Sequence, residues 1–465
     1  MVDSLDSAEV SSSQDVGRSL RKEVPRSSQA DWTPPADRRN AVDIVEAQNA
    51  DRVPWLVPLR RGRMSASAFT FFRGSAAIMA ADLATTPTSG LTVQLSGDGH
   101  LSNFGVYGSP ERNLVFDLND FDETLPGPFE WDVKRLAASF TIAGQHRGFG
   151  EDTQRGLAET SVLAYRSSMR HFASQGWLET WYAHVGEQEL IELVKDRGAS
   201  KKEVKRMRKA GTKARSRDSL KAATKLVEKV DGEYRFQSSP PVLVPLRDLP
   251  ETQDIEDMDE RVEASFSSYR SSLSDDIRSL VDHYELVDVA LKVVGVGSVG
   301  TRCLVALCIG RGPTDVLLLQ IKEATSSVLE AHLPKSRYQL HGRRVVEGQR
   351  LMQASSDIFL GWSKSVQGHH YYWRQLKDWK GSADLDAITG RGLEHYAEIC
   401  GYTMARAHAA SGDPAAIAAY LGKGTVFDKA IGEFAMQYAN QNAADYQAFI
   451  EAIDGGLPIE YDADS

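Results

Sequence analysis

Two short apolar runs, each ending in acids and amides, constrain this chain more than any other feature. Leu91-Thr92-Val93-Gln94-Leu95 is apolar and β-prone, and it leads into Gly97-Asp98-Gly99-His100-Leu101-Ser102-Asn103. Asn113 to Leu118 reads as a second buried strand and leads into Asn119-Asp120-Phe121-Asp122-Glu123. Two strand ends therefore point carboxylates and an amide at a shared space. Such a set suits a magnesium–phosphate site, in which one carboxylate orients a hydroxyl while an amide and a later carboxylate hold the metal. The plainer alternative is a pair of Asp- and Gly-rich turns, since those residues favour turns in any case.

The spacing Gly-Asp-x-His-x-x-Asn resembles the catalytic loop of the aminoglycoside phosphotransferase and choline kinase relatives of the protein kinases. The resemblance implies Asp98 as catalytic base, Asn103 as a metal ligand, and an aspartate beyond the next hairpin as a further ligand. Asp117 stands at nearly the family's distance from Asn103. Asp120 stands at its distance from Trp131-Asp132-Val133-Lys134-Arg135-Leu136-Ala137, which resembles the start of the family's buried helix. Asp120 is preferred, with Asp122 beside it, and Asp117 stays open. His100 fits a structural hydrogen-bonding role in the loop as well as a chemical one. From Phe69-Thr70-Phe71-Phe72-Arg73-Gly74 through Arg135-Leu136-Ala137-Ala138-Ser139, the chain is also similar to a bacterial family filed as domain of unknown function 2252. That family is grouped with the protein-kinase-like fold and brings no settled activity. The resemblance spans most of the chain after Asp43.

A second constellation lies far later in the chain. Val289 to Val294 reads as a strand, followed by Gly295-Val296-Gly297-Ser298-Val299-Gly300 and return strands over Leu304 to Ile309 and Val316 to Lys322. A dinucleotide fingerprint would need a helix after the glycines, and a strand follows instead. Strand, Gly-rich turn, strand, then a strand ending in Ile-Lys is the order of a kinase ATP-binding lobe. Gly295, Gly297 and Gly300 would let the backbone approach phosphates, and Lys322 would offer its charge to them. Lys322 usually has a glutamate partner on the next long helix. Arg343 to Ala354 reads as that helix, with Glu347 best placed and Glu330 as rival. A strand-end lysine facing a cleft packs little, so its loss would leave the fold intact. Taken singly, an ordinary hairpin and a surface lysine explain this stretch; taken with the Asp98 block, a joint ATP site does.

The 465 residues, 42% of them hydrophobic, suffice for a full core and two lobes. A net charge of -10 disfavours a chain built to bind nucleic acid or anionic membrane. Cys303, Cys308 and Cys400 have no metal-ligand spacing and fit core thiols in a reducing cytoplasm. No apolar run is long enough for a membrane span. Residues 1–40 are polar and expected to be disordered or loosely attached. Residues 41–190 carry the catalytic loop in a helical lobe. Residues 191–284 read as a charged helical insertion, with thirteen basic residues against three acidic between Lys195 and Lys225. Aromatics for base stacking are lacking there, so a solvated basic surface is favoured over a nucleic-acid arm. Residues 285–380 form the nucleotide-binding lobe, closed by a strand over Tyr371 to Lys377. Residues 381–465 complete the helical lobe, with one helix over Leu393 to Ala410 and a final pair of helices over Phe427 to Ala452. Arg60, Arg61, Arg63 and Arg73 could reach phosphates, and His408 could serve the site, though capping explains a helix-end histidine equally well.

The expected class is α+β, a protein-kinase-like two-lobed fold with a small antiparallel β lobe and a larger helical one. The motif order is reversed relative to kinases, and circular permutation is the simplest account. The expected function is transfer of a phosphoryl group from ATP, with Mg2+, to a hydroxyl of a small molecule. Nucleotidyl transfer by the same parts and nucleotide sensing without turnover are the alternatives. A metal-dependent hydrolase using His100 lacks a second histidine ligand at suitable spacing.

Overall fold

The computed structural model describes residues 2–461 apart from 197, 199, 217–218, 250–254, 294, 313 and 377–378. Helices predominate, and the strands form several small antiparallel sheets. The largest sheet runs in spatial order Gly361–Lys364, His370–Gln375, Val316–Glu323, Cys303–Ile309, Glu285–Lys292, Leu243–Pro245, every neighbour antiparallel. Its central strand Val316–Glu323 is buried along nearly its whole length because both faces are covered. On one face Phe266, Tyr269 and Trp373 meet Leu319 and Ile321; on the other Ala222, Ala223 and Phe236 meet Leu318. Tyr269 stacks on Trp373 with ring centroids 4.5 Å apart. The His341–Met352 helix lies between the fourth and fifth of these strands in the chain and packs on the Gly361 and His370 strands.

The helical part surrounds Phe129–His146, which is buried on all sides from Phe129 to Gly144. Glu151–Phe172, Gly390–Ser411 and Val426–Asp454 enclose it. Gly401 permits a close helix crossing, where a Cβ would stand 2.2 Å from the Ser161 carbonyl oxygen. The two apolar runs that opened the sequence reading do not pair with each other. Thr92–Leu95 pairs with Leu125–Pro128, and Leu114–Leu118 forms a hairpin with Phe104–Gly108. Their ends are joined by one bond, from the Asn119 amide to the Asn103 carbonyl at 2.8 Å.

Several expectations change. Residues 1–40 are not loosely attached: Val2–Glu23 is a helix against Pro414–Leu421. Gly17 lets the two backbones touch, and Arg21 and Arg26 donate to the Ala419 and Leu421 carbonyls at the partner helix's end. Ahead of the Thr92–Leu95 strand lie two short helices, Ala68–Arg73 and Ala76–Leu83, broken at Gly74-Ser75 where Met64 packs close. The last pair of helices is one, Val426–Asp454, since no glycine or proline turn interrupts its buried stripe. Residues 191–284 are only in part a helical insertion. The basic helices Lys201–Arg215 and Ser219–Leu226 expose their charges and bury alanines. After them, Val227–Val230 and Glu233–Phe236 form a hairpin, Leu243–Pro245 joins the large sheet, and Ile255–Ser271 covers it. The strand expected to end at Lys377 is described as His370–Gln375, residue 377 lying outside the described residues. The three cysteines are buried thiols, and no described helix is long and apolar enough to cross a membrane.

Candidate functional site

A cleft of about 690 Å³ separates the sheet lobe from the helical part. Asp98, Asn103, Asp120, Asp122 and Glu123 line one side, and Gly295, Gly297 and Ser298 line the other. The first acidic loop is held from beneath by the buried helix. Asp132, in its first turn, accepts from the Ser96 amide at 2.7 Å and the Gly97 amide at 3.0 Å. His408 Nε2 stands 3.2 Å from the same carboxylate, and Tyr165 closes the row at 2.9 Å from Nδ1. His408 therefore supports the loop anchor and does not reach the cleft. One turn along, Arg135 donates twice to Asp98 Oδ1, at 2.6 and 2.9 Å.

Asp98 keeps 22% of its side chain exposed, towards the cleft. Burial pushes its pKa up to about 7; Arg135 opposes this, and Asp120 and Glu123 add to it. A carboxylate titrating there is suited to accept a proton near neutrality. His100 is buried and caps the following turn, its Nδ1 accepting from the Ser102 amide at 3.2 Å. Burial holds its pKa well below the usual value, so it is neutral. Asn103 donates its amide nitrogen to the Asp98 carbonyl at 2.7 Å, which fixes the loop across its width. Asp117 lies outside the cleft and accepts from the Ala354 and Leu118 amides.

Lys322 reaches the site from beneath instead of facing open space. Its side chain is 3% exposed, with Nζ 2.5 Å from Asp122 Oδ2 and 3.4 Å from Asp120 Oδ1. Tyr372 donates to Asp122 Oδ1 at 2.6 Å. Despite burial, the two carboxylates hold the Lys322 pKa well above its ordinary value, and Lys322 holds that of Asp122 below it. Glu347 is not the partner of Lys322. It sits 3.6 Å from Arg343 on its own helix, whose inward face presents Arg344 instead. Arg344 donates to the Asp122, Thr124 and Thr325 carbonyls, so the helix grips the acidic loop by backbone. Glu330 stands 4.0 Å from Arg344 and likewise does not meet Lys322.

The glycine loop leans on the segment ahead of the Asp98 loop. The Val53 amide donates to the Gly300 carbonyl at 2.7 Å, Arg52 to the Val299 carbonyl at 2.5 Å, and Arg63 to the Gly295 carbonyl at 2.6 Å. Gly300, at positive φ, lies against the Arg52 side chain, so it serves this tether and not the cleft lining. The donor set for a cation is Asn103, Asp120 and Asp122. Among the described residues no group of three or more His, Cys, Asp or Glu side chains forms a metal site. Two carboxylates and an amide oxygen fit Mg2+, which completes its shell with water and substrate phosphates.

Sequence reasoning did not assign Arg135, Arg344, Tyr372 or Arg52. For Arg135 a signal existed, a run of charges at Glu130, Asp132, Lys134 and Arg135 opening a helix that is otherwise mostly apolar.

Residues 52–452 match the model of a family described as an uncharacterized protein conserved in bacteria (DUF2252). The chain belongs to this family. No curated protein and no solved structure matches it. The DUF2252 match takes in the acidic loops, the glycine loop and Lys322, while Arg39, Ile44, Ala47, Gln48 and Asp51 of the cleft lining precede it.

Proposed function

We propose that this chain is an ATP- and Mg2+-dependent phosphotransferase, kinase-like in its site and permuted in its motif order, acting on a hydroxyl of a small molecule. The carrying observation is that Asp98, Asn103 and Asp120 share one cleft with Gly295 and Gly297 despite their distance in sequence. The order strand, Gly-rich loop, strand, strand with Lys322, helix, two strands adds support, because a kinase nucleotide lobe uses those parts in that order.

Asp98 accepts the hydroxyl proton as the acceptor oxygen attacks, and Arg135 fixes its carboxylate. Asn103, Asp120 and Asp122 would hold Mg2+, which when bound neutralises phosphate charge. Lys322 sets the spacing of the two aspartates from beneath. The glycine loop gives backbone access to the phosphates. The enclosure of Lys322 favours one second reading, nucleotide binding without turnover, since its charge is spent on Asp122.

Calorimetry with ATP, with and without Mg2+, tests the proposal alongside assay of ADP release in the presence of candidate small alcohols. Mg2+-dependent ATP binding that Asp120→Asn abolishes is expected, together with ADP release that Asp98→Asn abolishes. Binding with no turnover under any acceptor would favour the sensor. No binding of any nucleoside triphosphate would end both readings.

A further inference from the structure

Of the four arginines that the sequence set near the phosphates, three are engaged. Arg61 pairs with Glu46, Arg60 donates to Asn49 Oδ1, and Arg63 donates to the Gly295 carbonyl. Arg73 makes no hydrogen bond or ion pair among the described residues, and its Nε is buried without an acceptor. Its backbone, in contrast, is clamped on both sides. Arg135 donates to the Phe72 carbonyl at 2.9 Å, and Arg60 donates to the Gly74 carbonyl at 3.1 Å. The same Arg135 holds Asp98, so the base and the start of the Arg73 residue are registered by one guanidinium.

Arg73 lines the cleft beside Asp98, and its carbonyl lies 3.4 Å from where a Cβ on Gly297 would stand. The residue is thus lodged between the glycine loop and the base. Burial lowers its pKa, and the Asp98 carboxylate is the opposing influence. Holding a guanidinium in a cleft without a counter-ion costs free energy that an anionic ligand would recover. The catalytic loop offers no cation of its own there: His100 is neutral, and Arg135 is committed to Asp98.

We propose that Arg73 is the cation that binds the transferring phosphoryl group, an assignment that rests on the phosphotransferase reading above. In that step the acceptor oxygen bonds to the γ-phosphorus of ATP and the bond from that phosphorus to the β–γ bridging oxygen breaks. The electron pair of the broken bond leaves with ADP, and the hydroxyl proton passes to Asp98. Negative charge spreads over the three equatorial oxygens of the group in transit. The planar fork of Arg73 matches two of those oxygens, a geometry that a lysine would not reproduce.

The test compares wild type, Arg73→Gln and Arg73→Lys by melting curves and by calorimetry with ADP–Mg2+ and ATP–Mg2+. Arg73→Gln removes no protein hydrogen bond or ion pair among the described residues and should melt within a few degrees of the wild type. It should bind ADP–Mg2+ as the wild type does, and ATP–Mg2+ about tenfold or more weakly, the loss of one charge-assisted hydrogen bond. ADP–Mg2+ with aluminium fluoride, which mimics the group in transit, should be retained by the wild type and lost from Arg73→Gln, with Arg73→Lys between them. Equal ATP affinity and equal retention in Arg73→Gln would overturn the assignment. Equal loss of ADP and ATP affinity would overturn it too, by placing Arg73 on the α- and β-phosphates. A wild type that binds neither nucleotide would overturn the phosphotransferase reading and the assignment with it, a result visible before any variant is made.

Discussion

Replacing Lys322 with methionine should destabilise the protein before it tells anything about nucleotide. Lys322 Nζ is 2.5 Å from Asp122 and 3.4 Å from Asp120, and its side chain is almost wholly buried. Removing one partner of a buried ion pair leaves the other charge uncompensated, a loss of about 3–5 kcal/mol. Asp122 retains 30% side-chain exposure and the hydroxyl of Tyr372, so the lower end applies, about 3 kcal/mol. At roughly 2–4 °C per kcal/mol for a domain of 150–250 residues, that is a fall of roughly 6–12 °C in melting temperature. Because Lys322 holds the folded Asp122 pKa below its ordinary value, the wild-type advantage is present at neutral pH and fades only as pH falls through that lowered value.

The control is the double variant Lys322→Met with Asp122→Asn. Removing both charges relieves the unpaired carboxylate, so the double variant should recover much of the loss. Differential scanning calorimetry and urea unfolding give the four corners of the cycle. If the two single losses add within about 0.5 kcal/mol, the pair is not coupled and the reasoning fails. A Lys322→Met protein as stable as wild type would refute it outright. That second outcome is what a strand-end lysine facing an open cleft would have given.

Two further outcomes follow from the helix beneath the loop. With its folded pKa raised to about 7, Asp98 is an effective base only above that value, so kcat/KM should rise with pH through about 7. Asp98→Asn should abolish that limb and lower turnover by about two orders of magnitude or more, while ATP–Mg2+ affinity by calorimetry stays near normal. Asp132→Ala removes the acceptor of the Ser96 and Gly97 amides and should cost about 3 kcal/mol or more in urea unfolding, with turnover falling in parallel. A variant of Asp132 with full activity would show that the loop is positioned by other contacts.

The elements were legible where periodicity and strand chemistry are local. Trp131 to Gln145, Leu304 to Ile309 and Val316 to Lys322 declare themselves by apolar spacing, and the structure moves their ends by a residue or two. The joint lining of the cleft by Asp98, Asn103, Asp120, Gly295 and Gly297 was also foreseeable, since each sits in a connection between apolar strand-like runs. Charge partners were not. Nothing in the spacing of Lys322 says whether its ammonium meets Glu347 or Asp122, because helix rotation decides it. On this helix Arg344 takes the inward position that Glu347 was assigned. The anchoring of residues 1–40 escaped detection for a related reason. A polar helix that buries little can still be fixed by two arginines on another helix's terminal carbonyls, which composition does not record.

One helix does much of the positioning. Asp132 and Arg135, three residues apart and therefore on one face, hold respectively the backbone and the carboxylate of the Asp98 loop. Arg135 also takes the Phe72 carbonyl, so the geometry of Asp98 relative to Arg73 is set by a residue that belongs to neither. The opposite wall obeys different constraints. Its glycine loop is tied to Val53 and Arg52, while on the first wall Arg344 and Lys322 hold the second acidic loop. None of these links depends on the order in which the chain visits the two walls. A cleft assembled through such contacts requires only that both walls pack in register, so the order in which the chain visits them costs the site nothing.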